Sequence, residues 1–321
     1  MAKKRALLVG INEYPVKPLR GCLNDILDMA NLLASDYGFA KEDVRLVGDA
    51  RATRTEIFKR LEWLTSGLEA GDTAFFMFSG HGVQVASRSG SGEVDRMDEA
   101  ICPYDFSFSS NNAIRDDDLE TVFRRVPAGV SLTIVSDSCH SEGLTTELRA
   151  LESDEDIVVD RSPERDAYFV EKFYPLPIDL AWRVEAAKEK GIDAVPFGEK
   201  AADNGNLVML SGCLRNQLSA DASFGGRPNG AFTRYLIHVL QRHRDKPMSE
   251  VIKIVRDLLN RDRFVQQPQV EGGDALIAAP FLGGASGGGG VVKGKNARAA
   301  KAGDGDFARF KAELRKLIDR Y

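Results

Sequence analysis

Two short motifs in this chain contain the residue types that thiol chemistry needs. Ser79-Gly-His-Gly82 holds a histidine between two glycines, and Asp137-Ser-Cys-His-Ser141 holds a cysteine. A free thiol is mostly protonated near neutral pH, so a nucleophilic cysteine needs a neighbouring base such as an imidazole. We interpret Cys139 as the nucleophile and His81 as the base. The N–H groups of Gly82 and Cys139 would then form an oxyanion hole.

Each motif follows an apolar run that predicts a buried strand. The runs are Thr73–Phe78 and Val130–Val135, and ligand sites of open α/β sheets lie beyond the carboxyl ends of the strands. Residues two apart share a face of a strand. The serine and histidine of the first motif therefore lie on one side, as do the aspartate and cysteine of the second. If the two strands are neighbours, these side chains share one cleft.

Both residues of the pair also have structural interpretations. A cysteine is most often a small buried apolar residue, and His81 could be a turn histidine. His140 is a weaker base because it points away from Cys139 on extended backbone. The cysteines and histidines lack the spacing of a zinc site. The position of both motifs at the ends of buried strands favours the catalytic interpretation.

The composition is that of a globular protein. The chain has 321 residues, of which 43% are hydrophobic, and a formal net charge of −5. This length is ample for a core, and the mild acidity does not point to a nucleic-acid partner. The four cysteines are far apart, which argues against a disulfide scaffold. No signal peptide or run of ~20 apolar residues is found, so we expect a cytoplasmic protein without a membrane partner.

Alternating strand and helix patterns predict a layered α/β domain with a mostly parallel sheet. Arg5–Ile11, Val44–Val47 and Leu207–Leu210 are further apolar runs typical of strands. Ile26–Leu33 has helical spacing, and Thr53-Arg-Thr-Glu56 is a capping-box pattern that opens a second amphipathic helix.

Composition also divides the chain. The polar, Gly-rich stretch Val83–Ala100 predicts a loop or hairpin. We assign a main domain to residues 1–282, with a long charged insertion over 142–206. A Gly-rich linker follows over 283–305, and an amphipathic helix over 306–321.

The motifs together resemble those of the caspase-like cysteine peptidases, and within them the metacaspases of bacterial type. His81 and Cys139 lie 58 residues apart, near the spacing of about 50 residues typical of caspases. The Q-A-C-[RQG]-G signature of animal caspases is absent. Further matching stretches, in the family's order, are Leu8–Asn12, Leu19–Asp25, Asp98–Asp105, Asp116–Leu119, Leu210–Cys213, Ser219–Ala222 and Gly230–Thr233.

The resemblance implies a three-layer α/β/α caspase-like fold and a cysteine endopeptidase that works through a thioester acyl-enzyme. Cys139 matches the family's nucleophile and His81 its general base. Asp25, Ser79 and Asp137 match the pocket for P1, the substrate residue before the scissile bond, which is Arg or Lys in metacaspases. Carboxylates that converge beside a nucleophile favour a cation on physical grounds as well. Protein or peptide substrates with a basic P1 residue are the expected partners.

Each pocket residue has a structural alternative. Asp25 could be a helix N-cap, Ser79 a turn hydroxyl, and Asp137 an acceptor of backbone N–H groups. A P1 preference for Asn or Asp is the alternative specificity, although the two aspartates argue against an acidic P1.

Asp98, Asp116 and Asp117 match positions that bind calcium in calcium-activated metacaspases. Clustered carboxylates suit a hard cation, and the chemistry itself needs no cofactor. The alternative is a solvated acidic loop in which Asp116 to Asp118 cap a helix. A further acidic ligand is expected near Thr146 or Glu147.

We hypothesise that the enzyme cleaves itself after a basic residue of the insertion. The basic residues considered there are Arg149, Arg161, Arg165, Arg183, Lys188 and Lys190. The alternative from another functional class is a catalytically silent caspase-like interaction module, which the retention of both Cys139 and His81 disfavours. We expect a monomer or weak dimer.

Overall fold

The computed structural model describes residues 2–86, 97–110, 112–139, 168–180, 182, 206–214 and 217–283. Most of the predicted insertion, the linker beyond residue 283 and the predicted C-terminal helix lie outside the described residues. The strands, in chain order, are β1 (Lys4–Gly10), β2 (Val44–Gly48), β3 (Thr73–Ser79), β4 (Gly82–Ala86), β5 (Met97–Ile101), β6 (Ile114–Arg115), β7 (Ser131–Asp137), β8 (Phe169–Glu171), β9 (Leu207–Ser211), β10 (Ala220–Phe224), β11 (Arg227–Gly230) and β12 (Gln269–Gly272). The α-helices are α1 (Cys22–Asp36), α2 (Arg54–Thr65), α3 (Asp116–Phe123), α4 (Ala231–Arg242), α5 (Met248–Arg261) and α6 (Asp274–Ile277).

A mostly parallel sheet forms the centre of the described part of the chain. Its strand order is β12-β9-β7-β3-β1-β2. Neighbouring strands pair in parallel, except that β12 is antiparallel to β9. The strands are rich in apolar residues because both faces of the sheet are covered.

Two apolar clusters show that helices cover both faces. Along β1, Leu7 and Val9 pack in one cluster with Ile57 of α2 and Leu119 of α3. The intervening Ala6 and Leu8 pack in the other cluster, which includes α1, α4 and α5. This alternation is the period of two that a strand imposes on its side chains. The expected three-layer α/β/α fold with a mostly parallel sheet is confirmed.

Local sequence signals explain several of these elements. The Thr53 side chain accepts a hydrogen bond from the N–H of Glu56 at 3.3 Å, as the capping-box pattern predicts. The polar stretch after His81 contains the antiparallel pair β4 and β5, so a hairpin is confirmed there. Helix α1 begins four residues before the predicted start at Ile26, and its extra first turn includes Asp25.

Two small antiparallel sheets flank the carboxyl end of the central sheet. One has the order β4-β5-β6 and the other β11-β10-β8. Strand β8 comes from the predicted insertion and pairs with β10, with Glu171 opposite Ala220. No helix in the described part of the chain is long and apolar enough to cross a membrane.

Candidate active site

The two reactive motifs meet because their strands are neighbours in register. On β3 and β7, Ser79 is directly opposite Asp137. His81 and Cys139 follow two residues beyond them, and all four side chains are fully buried. The parallel register therefore brings both motifs to the same edge of the sheet, as the sequence predicts for neighbouring strands.

A lysine that the sequence analysis did not single out lies at the centre of this site. The Lys172 ammonium is 3.1 Å from a carboxylate oxygen of Asp25 and 3.1 Å from one of Asp137. It also donates to the Ser79 hydroxyl at 3.0 Å. Asp25, Ser79 and Asp137 thus surround one buried amine, and this arrangement suits a cationic side chain.

Residues from the hairpin of β10 and β11 hold Asp25 in place. Its carboxylate accepts from the Gly230 N–H at 2.9 Å and from the Asn229 amide at 3.0 Å. The Ser79 hydroxyl donates to it at 2.8 Å. The N-cap of α1 is Gly21, so the N-cap interpretation of Asp25 is wrong. Asp25 lies one turn later, where its side chain faces the hairpin instead of the helix end.

Asp137 is held from another side. It accepts from the hydroxyls of Ser219 at 2.7 Å and Thr233 at 2.6 Å, and from the Thr233 N–H at 3.1 Å. Thr233 lies in the first turn of α4, where free N–H groups favour an anion. Asp137 is therefore an acceptor of a backbone N–H group as well as a partner of the lysine.

Burial and charge oppose each other in this pocket. Burial raises the pKa of Asp25 to about 6, although the nearby Lys172 ammonium acts to lower it. Burial alone would lower the pKa of Lys172, but Asp137 and Asp25 outweigh it and hold that pKa well above its ordinary value. The lysine is consequently charged at neutral pH, and the pocket holds a cation between two carboxyl groups.

The main chain of Lys172 also forms hydrogen bonds with the site. Its carbonyl accepts from the N–H of Gly82 at 3.0 Å and from that of Cys139 at 3.2 Å. Its own N–H donates to the Ser219 carbonyl at 2.9 Å, which continues the pairing of β8 with β10. The segment is therefore laid along a strand edge, the way that extended peptides bind to sheets.

The Cys139 thiol faces Ser219. Its sulfur accepts from the Ser219 N–H at 2.6 Å and donates to the Ser219 carbonyl at 3.4 Å. The thiol also packs in a small apolar cluster with Phe173 and Cys213. It makes no hydrogen bond with His81, although the N–H groups of Cys139 and of Gly82, the residue after His81, both donate to the Lys172 carbonyl.

One ring nitrogen of His81 has a hydrogen-bond partner and the other has none. Its Nε2 lies 2.6 Å from the Lys17 carbonyl, which can only accept, so Nε2 carries the hydrogen. Its Nδ1 is buried without a hydrogen-bond partner. Burial lowers the pKa of His81 to about 4. The imidazole is therefore neutral at pH 7, with a vacant Nδ1 that is able to accept a proton.

The sequence analysis assigned no role to Lys172 or Gly230, although both residues form the site. Lys172 lies in the run Phe169–Tyr174, whose aromatic and β-branched residues could have predicted a strand within the charged insertion. Gly230 belongs to a matching motif but received no role. A Cβ atom at Gly230 would lie 2.1 Å from Asp137 Oδ2 and 2.3 Å from Lys172 Nζ, so only glycine leaves room for the pocket.

Gly230→Ala is accordingly expected to abolish binding of a basic side chain. The added methyl group overlaps the position of the ammonium. If this pocket takes a basic P1 residue, as the resemblance implies, turnover of a Lys reporter substrate should fall by about a hundredfold or more. Gly225→Ala is the control, because Gly225 has a φ of +60° in the same hairpin and open space around it. That variant should lose thermal stability while keeping turnover. Equal turnover in both variants would contradict the assigned pocket.

Three acidic residues lie close together, one on β5 and two at the start of α3. Asp98, Asp116 and Asp117 each offer a carboxylate oxygen, and these oxygens lie within 4.8 Å of one another. The Arg115 guanidinium is 3.2 Å from Asp98. Asp118 accepts from the Arg115 N–H at 3.2 Å, so the helix-capping interpretation applies to that residue of the run. Thr146 and Glu147 lie outside the described residues, as does His140.

Comparison with known proteins identifies the family of this chain. Residues 4–148 match the family model for the metacaspase, peptidase C14 domain. The chain is 31% identical over 287 residues to Metacaspase-1A of Aspergillus fumigatus, covering 84% of this chain and 68% of that protein. The chain belongs to the metacaspases. It is also 29% identical to Metacaspase-1 of Pyricularia oryzae, with 84% and 71% of the two chains covered.

This metacaspase is therefore a cysteine endopeptidase that acts on protein substrates. Family membership favours an active peptidase over the silent interaction module. Its fold also resembles the crystal structure of protein GSU0716 from Geobacter sulfurreducens. The TM-score is 0.61 at 25% sequence identity, and the match covers 88% of this chain and 99% of that chain.

Proposed function

We propose that this metacaspase cleaves peptide bonds after Lys or Arg, with Cys139 as nucleophile and His81 as base. The observation that carries the proposal is the binding of Lys172. Its ammonium lies between two carboxylates, and its carbonyl accepts the N–H groups of Gly82 and Cys139. A basic P1 residue of a substrate would bind in the same way.

The chemistry follows from these positions. His81 Nδ1 takes the thiol proton, and the sulfur of Cys139 attacks the carbonyl carbon of the P1 residue. The charge that develops on the carbonyl oxygen is stabilised by the two N–H groups that already point at it. The imidazolium then gives its proton to the leaving amine, which breaks the C–N bond and leaves a thioester. Water hydrolyses the thioester with His81 again as the base.

The first substrate is the chain itself, at the Lys172–Phe173 bond. This refines the hypothesis of self-cleavage in the insertion, whose other basic residues lie outside the described residues. An intramolecular peptide held in position reacts at a high effective concentration. The reaction requires the thiol, which here faces Ser219, to turn toward the Lys172 carbonyl carbon. The products are residues 1–172 and 173–321.

A reporter panel tests the specificity. Peptides with Lys, Arg, Asn or Asp at P1 are compared with and without calcium, and Cys139→Ala serves as the inactive control. We expect turnover for Lys and Arg alone. Turnover of the Asn or Asp peptides in their place would contradict the assignment of Asp25 and Asp137. Equal turnover in Cys139→Ala would contradict the nucleophile.

The raised pKa of Asp25 sets an acid limit for self-cleavage. As the pH falls through about 6, Asp25 gains a proton and the Lys172 ammonium loses one of its counter-charges. We expect the first-order rate of self-cleavage to fall between about pH 7 and pH 5. Asp25→Asn should be slower but nearly independent of pH in this window. A wild-type rate that is flat over the same window would contradict the role of Asp25.

We further propose that Asp98, Asp116 and Asp117 bind calcium, which takes about six to eight oxygen ligands. The close approach of one carboxylate oxygen from each residue supports this, because such oxygens are the ligands that a hard divalent cation prefers. Asp98 lies on β5, which pairs with β4, and Gly82 is the first residue of β4. Bound calcium would therefore stabilise the hairpin that presents one of the two N–H groups.

A thermal shift measurement checks the calcium proposal. In the Cys139→Ala chain, which stays intact, calcium should raise the melting temperature. Asp117→Asn should remove that shift, whereas Asp36→Asn, which changes an acidic residue on α1, should retain it. A calcium shift that survives Asp117→Asn unchanged would place the ion elsewhere.

A further inference from the structure

Beyond the Lys172 carbonyl, the next two residues of the chain also pair with Gly82, as a bound substrate would. Phe173 forms an isolated parallel bridge with Gly82, and the Tyr174 N–H donates to the Gly82 carbonyl at 2.9 Å. Gly82 thus holds the backbone on both sides of the Lys172–Phe173 bond. In substrate terms Phe173 is P1′ and Tyr174 is P2′, the first and second residues after that bond.

The Tyr174 side chain fills an aromatic pocket, which we define by Tyr14, Phe106 and Phe108. Its ring centroid is 5.0 Å from that of Phe106, 5.9 Å from Phe108 and 6.1 Å from Tyr14, each with edge geometry. Only 6% of Tyr174 is exposed. Edge-to-face contacts at these distances add to the free energy gained from burial.

The walls of the aromatic pocket do not belong to the insertion. Tyr14 follows β1, and its hydroxyl donates to the Cys102 carbonyl at 2.9 Å and accepts from the His81 N–H at 3.1 Å. Phe106 and Phe108 lie between β5 and β6, and their rings pack together at 5.0 Å. These contacts hold the walls independently of Tyr174, so a substrate residue would meet a pocket that is already formed.

The aromatic pocket is continuous with the catalytic imidazole. The His81 ring lies 4.5 Å from Tyr14 and 5.8 Å from Tyr174, so the two tyrosines both contact it. A P2′ aromatic ring would complete this enclosure and exclude water from the base. A small P2′ residue would leave the same face of the imidazole open.

We infer that the aromatic pocket is an S2′ subsite that selects Tyr or Phe as the second residue after the scissile bond. This inference rests on the proposed cleavage after Lys or Arg. The substrate class becomes a basic residue, then any residue that fits beside Cys139, then an aromatic residue. The aromatic pocket would act on the self-cleaving chain and on other substrates alike.

Internally quenched peptides test the inference on the self-processed enzyme. The sequence Val-Glu-Lys-Phe-Tyr-Pro, taken from Val170–Pro175, is compared with versions that carry Phe or Ala in place of Tyr. We expect kcat/KM for Tyr and Phe to exceed that for Ala by about tenfold or more. Equal values for the three peptides would overturn the S2′ subsite.

A pocket variant separates recognition from general damage. In Phe108→Ala, the ratio of kcat/KM between the Tyr and Ala peptides should fall toward one. Leu46→Ala, on the edge strand β2, loses a comparable apolar side chain and should keep the ratio. An unchanged ratio in Phe108→Ala would overturn the assignment of the aromatic pocket.

A reporter that ends at P1 separates this inference from the proposed function. Val-Glu-Lys with a fluorogenic amide has no peptide residue in the aromatic pocket. Turnover of this reporter together with equal rates for the three peptides would overturn the S2′ subsite and leave the basic P1 specificity intact. Absence of turnover for every Lys substrate would overturn the proposed function and the inference with it.

Discussion

Lys172→Met is expected to leave the chain as a single polypeptide, whereas Lys172→Arg is expected to be cut at the same bond. Methionine has a similar length but no charge, so Asp25 and Asp137 would remain buried without a counter-charge. Removing one partner of a buried ion pair costs about 3–5 kcal/mol, which lowers the fraction of chains that hold this segment in the pocket, and with it the rate of self-cleavage, by about a hundredfold or more. Intact mass spectrometry over time measures the two products.

The control for this experiment is Lys246→Met. Lys246 pairs with Glu250 on α5, far along the chain from the site, so its loss should leave self-cleavage unchanged. A Lys172→Met chain that releases residues 1–172 at the wild-type rate would contradict the role of the lysine. A product that ends at another basic residue in every variant would show that the chain is processed at that residue and not at Lys172.

Asp137→Asn is expected to slow self-cleavage by about a hundredfold or more, because the Lys172 ammonium loses a buried partner 3.1 Å away. The amide keeps the shape and an acceptor for Thr233, so the fold should be retained. Asp72→Asn is the matched control. Asp72 is also buried and accepts backbone N–H groups from Lys3 and Glu69, but it precedes β3, whereas the site lies at the other end of that strand.

A double-mutant cycle measures the same ion pair without catalysis. In the Cys139→Ala background, the free energy of unfolding is compared for Asp137→Asn, Lys172→Met and the two combined. We expect the combined loss to be smaller than the sum of the single losses, because each single change already removes the interaction between Lys172 and Asp137, which can be lost only once. Strict additivity would mean that Lys172 and Asp137 do not interact in solution.

The element pattern was largely predictable because each signal is local. The apolar runs before Ser79 and Ser136 became the neighbouring strands β3 and β7, and Thr53 caps α2 as its motif predicts. The family, the fold class and the cysteine peptidase activity could all be inferred from motifs of a few residues. The start of α1 was predicted less well, because Asp25 in its first turn is held by the hairpin of β10 and β11 and not by the helical pattern of α1 itself.

The site depends on contacts between residues that are far apart in the chain. Asp25 and Gly230 are joined by a hydrogen bond, and so are Asp137 and Thr233. No spacing rule connects such positions, since the sheet order and the hairpin decide which of them meet. The aromatic pocket has the same origin, because Tyr14 and Phe106 belong to loops after different strands.

The sequence by itself indicated the chemistry of this protein, because the thiol of Cys139, the imidazole of His81 and the carboxylate of Asp137 are set by residue type and by their place after buried strands. Only the tertiary structure decided which side chain occupies the site. The insertion returns as β8, pairs with β10 and delivers Lys172 between Asp25 and Asp137. Such a placement depends on strand pairing across a long connection, and the local sequence of a charged segment does not encode its partner.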